Sequence, residues 1–194
     1  MKFLLTALPF VFIGGQAQAN LARSASLTPV DPVGDVVAIQ APNKDTRIFY
    51  QPRSGGGIAH LCVDSSFKDG LLTCDATIVP PTEVRDGTPI AAVTLNADNN
   101  GFTENRVFFV SPDNILSEYL FTTADHGRSG PNCPKCITHN GFPVVNGSQV
   151  LYAMANPSAP GVRVRVGFVS TASPDTITEA SLNANGQWTL AVMP

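Results

Sequence analysis

The sequence predicts an all-β fold, β-propeller-like, built from three four-stranded antiparallel units. Three observations predict it. Arg47, Arg106 and Arg165 recur at equal intervals of 59 residues. Each arginine stands in an apolar or β-branched run, which turn-forming residues separate from a second such run. The composition, with 16 prolines, 16 glycines and only 14% charged residues, suits many short strands with frequent turns rather than helices. A four-stranded meander repeated every 40–60 residues or so is how a propeller is built, blade by blade. An ordinary β-sandwich is the alternative; the equal arginine spacing and an alanine in each first strand (Ala38, Ala92, Ala153) argue against it.

Residues 1–19 read as a secretory leader. Lys2 supplies the basic start, residues 3–13 the apolar stretch, and Ala17-Gln18-Ala19 the cleavage site. The apolar stretch is shorter than the roughly 20 residues a membrane helix needs. A secreted, extracellular chain of residues 20–194 is therefore expected, with no membrane partner. The net charge of −3 and the lack of a basic cluster give no case for nucleic acid.

Residues 20–35 carry Pro29, Pro32 and Gly34 without a clear period and read as an N-terminal arm. A single domain of three repeats follows, over 36–80, 88–143 and 149–194. In the first, strands are expected at 36–39, 47–50, 58–63 and 71–78, with Gly55-Gly56-Gly57 in a hairpin loop. Pro80-Pro81 opens a linker. The second repeat starts at Ile90-Ala91-Ala92-Val93 and centres on a hairpin, Asn105 to Phe121, turning at Ser111-Pro112-Asp113-Asn114. Its fourth strand is obscured by Gly, Pro, Asn and Cys between 122 and 142. The third repeat has strands expected at 150–154, 162–169 and 176–182, and ends with Trp188-Thr189-Leu190.

Four cysteines behind a leader read as disulfides. Cys62 and Cys74 flank a turn at Lys68-Asp69-Gly70 symmetrically, which sets them opposite each other across a hairpin. Cys133 and Cys136 then close a small ring within the irregular loop. The rival reading is zinc held by His126, Cys133, Cys136 and His139, whose spacing is plausible; the even cysteine count favours disulfides, and neither a metal nor a cofactor is expected. Asn146-Gly147-Ser148 is a glycosylation sequon.

Each arginine is followed by a candidate partner: His60 thirteen residues after Arg47, Glu118 twelve after Arg106, and Glu179 fourteen after Arg165. A guanidinium only donates hydrogen bonds and a carboxylate only accepts. Together they suit sugar hydroxyls, which do both, and charge-assisted bonds of this kind contribute about 1.5–3 kcal/mol each. A glycosidase needs two carboxylates across a pocket, whereas each unit offers at most one acid, opposite an arginine that lowers its pKa. No serine–histidine–aspartate grouping or phosphate loop occurs, so no enzyme is expected.

The motifs are Arg106-Val107-Phe108-Phe109 with Leu116-Ser117-Glu118, Arg47-Ile48-Phe49-Tyr50 with Ile58-Ala59-His60, and Arg165-Val166-Gly167-Phe168 with Ile177-Thr178-Glu179 and Trp188-Thr189. Over residues 36–194 they resemble the repeat of the fungal fucose-specific lectins. The resemblance implies a six-bladed propeller with sugar sites between blades. Arginine and acid would hold the fucose and a neighbouring aromatic would stack on it. Carried over, Arg106 with Glu118 and Arg165 with Glu179 are the best sites, Arg47 with His60 a weaker one, and Trp188 a stacking residue. It also implies fucosylated glycans or glycoproteins as partners, and a homodimer whose six units close the ring. A secreted effector that kept the scaffold and binds a protein partner is the alternative.

Overall fold

The computed structural model describes residues 29–124, 126–158 and 161–194, so the expected leader and cleavage site lie outside the described residues. The chain forms three separate four-stranded sheets. Sheet one contains β1 (Pro32–Gln40), β2 (Thr46–Pro52), β3 (Ile58–Val63) and β4 (Leu72–Val79). Sheet two contains β5 (Ala91–Asp98), β6 (Gly101–Val110), β7 (Leu116–Thr122) and β8 (Arg128–Ser129). Sheet three contains β9 (Leu151–Ala155), β10 (Val162–Phe168), β11 (Thr178–Asn183) and β12 (Trp188–Val192). Within each sheet, strands pair antiparallel in chain order. The first strands pack side by side, with β5 between β1 and β9. The sheets are blades, stacked face to face around their first strands.

The central hairpin shows why the sequence folds this way. Residues 107–110 are all apolar because β6 is buried on both faces. Strand alternation sends Val107 and Phe109 toward blade one, where they meet Ile39, Phe49, Ile58 and Val79. Phe108 and Val110 go the other way, against Val164, Val166, Phe168 and Leu182 of blade three. Each large side chain so buried contributes about 1.5–3 kcal/mol. Truncating Phe108, which is fully buried, would cost about 3–5 kcal/mol.

The linkers are tied down by polar side chains. Buried Gln51 donates to the carbonyls of Gly56 and Arg85 and accepts from the Gly87 N–H, which pins the first linker to blade one. Arg85 in turn donates to Asn114 and to the Ser148 carbonyl, joining that linker to the next.

Two details depart from the sequence reading. Strand β1 begins at Pro32, inside the expected arm, because Pro32 pairs with Pro52 across an irregularity that ends at Val36. Strand β8 has only two residues. After it the chain makes two short 3-10 turns, Gly130–Asn132 and Ile137–Asn140, instead of a longer fourth strand. Both expected disulfides are present. Cys62 and Cys74 are register partners on β3 and β4 with Cα atoms 4.8 Å apart. Cys133 and Cys136 are joined at a Cα separation of 5.3 Å.

Candidate functional site

The three arginines occupy equivalent positions, each on the second strand of its blade. Their sequence partners are equivalent too: His60 lies opposite Phe49, Glu118 opposite Phe108, and Glu179 opposite Gly167, always two residues after the arginine. From this common register the blades build three different environments.

In blade one, Arg47 faces blade two. Its Nη2 donates to Asp45 at 3.0 Å and its guanidinium carbon lies 5.5 Å from the centre of the Phe102 ring. A cleft of about 310 Å³ opens there between the blades, the lower end of the roughly 300–1,000 Å³ of small-molecule sites. Arg47 and His60 line it from blade one; Asn105, Tyr119 and Phe121 line it from blade two. His60 Nε2 lies 3.3 Å from Cys74 Sγ. Burial, and then the charge of Arg47, hold the His60 imidazole below its ordinary pKa, with Asp75 opposing. The guanidinium, the imidazole and two aromatic rings thus converge on one space.

In blade two the expected pair does form, but it is buried. Arg106 Nη1 donates to Glu118 at 2.7 Å, while its Nε and Nη2 donate to Glu104 at 3.0 and 2.8 Å. The other Glu118 oxygen accepts from the Ile137 N–H at 2.7 Å, and the Glu118 N–H donates to Thr138 Oγ1. Glu118 has no exposed surface. The turn at Ile137–Asn140, following the Cys133–Cys136 bridge, sits on the pair as a lid. Burial pushes the Glu118 carboxyl above its ordinary value, and Arg106 and the Ile137 N–H pull it back only in part. Both carboxylate oxygens accept hydrogen bonds from within the chain, and the carboxylate is closed off from solvent.

In blade three the pair is open. Arg165 Nε donates to Glu179 at 2.7 Å, and the arginine side chain is half exposed. The hydrogen bond from Arg165 lowers the Glu179 carboxyl and raises the guanidinium. Tyr152 donates its hydroxyl to Glu179 at 3.4 Å. This tyrosine lies over Gly167, which occupies the place of Phe49 and Phe108; a Cβ there would collide with the Tyr152 ring. The blade's other face, with Val164, Val166 and Leu182, packs on blade two. No further blade covers the Arg165 face among the described residues.

Trp188 lies on β12, opposite Leu182. It is buried against Phe108, edge to face at 6.2 Å, in the core between blades two and three. A shallow groove outside it is lined by Lys135, His139 and Gln187, and neither Arg106 nor Glu118 reaches that groove. The cysteines of the rival zinc set are joined to each other, which removes both as thiolate ligands. Asn146 lies exposed in a turn.

Sequence reasoning missed the aromatic wall of the first cleft, although its signal was available. Tyr119 and Phe121 alternate with Glu118 and Leu120, so they must point to the opposite face, toward blade one. It also missed the acids two residues before Arg47 and Arg106, Asp45 and Glu104, which the same rule puts on the arginine's face.

No family profile and no curated protein sequence matches the chain. Solved structures do. AofleA from Arthrobotrys oligospora matches with a TM-score of 0.62 at 18% identity, over 84% of this chain and 43% of that one. A variant of it with three arginines replaced by alanine matches equally. The fucose-specific lectin from Aleuria aurantia matches with a TM-score of 0.57 at 21% identity, over 85% of this chain and 51% of that one. The chain spans about half the length of these proteins or less. Its three sheets have the β-propeller fold of the fungal lectin.

Proposed function

We propose that the protein is a secreted, non-catalytic carbohydrate-binding protein whose sugar sites lie on the arginine faces of its blades. The cleft between blades one and two carries this reading. Sugars need fixed hydrogen-bonding groups on one side and an apolar surface on the other, and Arg47 faces Tyr119 and Phe121 across that cleft. The Arg165–Glu179 pair, with Tyr152 beside it, is the fucose site of the pair type. A second copy would supply its missing wall, because two copies give six blades about a two-fold axis. Fucosylated glycans or glycoproteins are the expected partners. Asn146 would carry a glycan in a eukaryotic host, seen as a mobility shift on deglycosylation.

A second reading has its own support. Phe67, Leu71 and Leu72 are exposed around the β3–β4 turn, and such an apolar patch suits a protein partner. A glycan array probed with residues 20–194 separates the two. Signal on fucosylated glycans that falls in Arg165→Ala supports the lectin; an array blank for every glycan would leave the interaction protein as the better reading.

A further inference from the structure

The first cleft differs from the other two arginine sites in its charge. Glu118 and Glu179 stand beside Arg106 and Arg165, but the equivalent residue beside Arg47 is His60. Among the described residues no carboxylate lines the cleft; its polar groups are Arg47, His60, Asn105, Tyr119 and His126. Asp45 takes one N–H of the guanidinium but does not line the cleft, and Nε and Nη1 of Arg47 have no acceptor among the described residues. Asp45 and the Phe102 ring nevertheless fix the guanidinium in place. The cleft therefore offers a surplus of donors and few acceptors.

That surplus selects the ligand. A neutral sugar's hydroxyls donate as well as accept, and the carboxylate that receives such protons in an arginine–glutamate pair is replaced here by His60. A carboxylate ligand only accepts, and it pairs with a guanidinium in a charge-assisted bond. We propose that the cleft between blades one and two binds a sugar bearing a carboxylate, a hexuronic or sialic acid, with the carboxylate on Arg47 and His60 and the ring against Tyr119 and Phe121. The inference rests on the lectin reading and assigns its first site a ligand class.

A pH dependence follows. Burial and Arg47 keep His60 neutral near pH 7, Asp75 pulls the other way, and Tyr119, His126 and Arg47-bound Asp45 are the other titratable groups around it. A bound carboxylate favours the imidazolium, so binding takes up a proton. Affinity then rises as pH falls from the imidazole's value in the complex toward its lowered value in the free protein, by up to about tenfold per pH unit, and levels off below that.

Calorimetry on residues 20–194 with galacturonic acid, N-acetylneuraminic acid and galactose, at about pH 5 and about pH 7.5, tests this. At least one acid is expected to bind about tenfold more tightly than galactose, with the gap wider at the lower pH. Arg47→Ala should lose the acid. His60→Gln should keep part of the binding and lose its pH dependence, and His60→Glu should shift preference toward galactose; thermal melts confirm that each variant is folded. Equal binding of acids and galactose, unchanged by pH, would overturn the acidic-sugar assignment and leave the lectin reading standing. No binding of any of the three would remove the cleft as a sugar site altogether.

Discussion

Glu118 has one oxygen on Arg106 and the other on the Ile137 N–H, with no solvent contact. Glu179, its equivalent in blade three, holds an exposed arginine instead. The same two residue types at the same register therefore do different work. Glu118→Gln is expected to destabilise the fold by about 3 kcal/mol, because it leaves Arg106 buried with only Glu104. Glu179→Gln should cost less than about 1 kcal/mol, as an exposed ion pair does. Urea unfolding of the two variants gives the comparison. His60 makes a third test at this scale. Its folded pKa lies below the ordinary value, so the unfolded chain binds the extra proton first. Stability should fall as pH drops through about 6.5 and level off below the folded value; melting curves of wild type and His60→Gln should diverge in that window and run parallel above it. The pairing of Arg106 with Glu118 and of Arg165 with Glu179 was legible from spacing; that of Arg47 with Asp45 and of Arg106 with Glu104 was not. Nor was their exposure, because it depends on what the chain beyond each pair folds back to cover.

Each blade follows from local sequence: alternating β-formers, a turn, and an arginine at a constant position. The β6–β7 hairpin, Asn105 to Phe121, was readable because both arms are apolar and the turn residues are explicit. The Cys62–Cys74 bridge was readable because its turn sits midway. The stretch 130–140 was not, since short 3-10 turns have no periodic signature, and its Ile137 N–H and Thr138 hydroxyl bond to Glu118 of the buried pair. Trp188, a stacking residue by the resemblance, lies opposite Leu182 in the strand register and packs in the core between blades two and three. Gly167 gives the test at this scale. Gly167→Ala would drive the Tyr152 ring aside, because the new methyl group occupies its position. Sugar binding at Arg165 is expected to weaken several-fold while the melting temperature shifts little, since the displaced group is the end of a flexible side chain. A large loss of stability with unchanged binding would contradict that arrangement.

The three blades leave two faces without a neighbour among the described residues. One is the Arg165 face of blade three, with Tyr152 and half-exposed Met154. The other is the far face of blade one, where Ile48, Tyr50, Ala59 and Leu61 form a small apolar cluster of their own and Val36 is 50% exposed. In the first cleft, the neighbour of an arginine face is the third strand of the next blade, through Tyr119 and Phe121. The equivalent residues of blade one are Leu61 and Val63, which share the register of Tyr119 and Phe121. A second copy would set them against Arg165. Light scattering should find a dimer at micromolar concentration, and Leu61→Asp should shift it to monomer; a monomer at every concentration would remove the second copy from the site.

The lectin reading as a whole stands on whether the open arginine pair takes sugar and the sealed one does not. Calorimetry with L-fucose on wild type, Arg165→Ala and Glu118→Gln measures this directly. Heat is expected with the wild type, none with Arg165→Ala, and wild-type heat with Glu118→Gln wherever that variant remains folded. No heat from the wild type at millimolar fucose, with its thermal unfolding also unshifted, would contradict the account of the open pair as a fucose site.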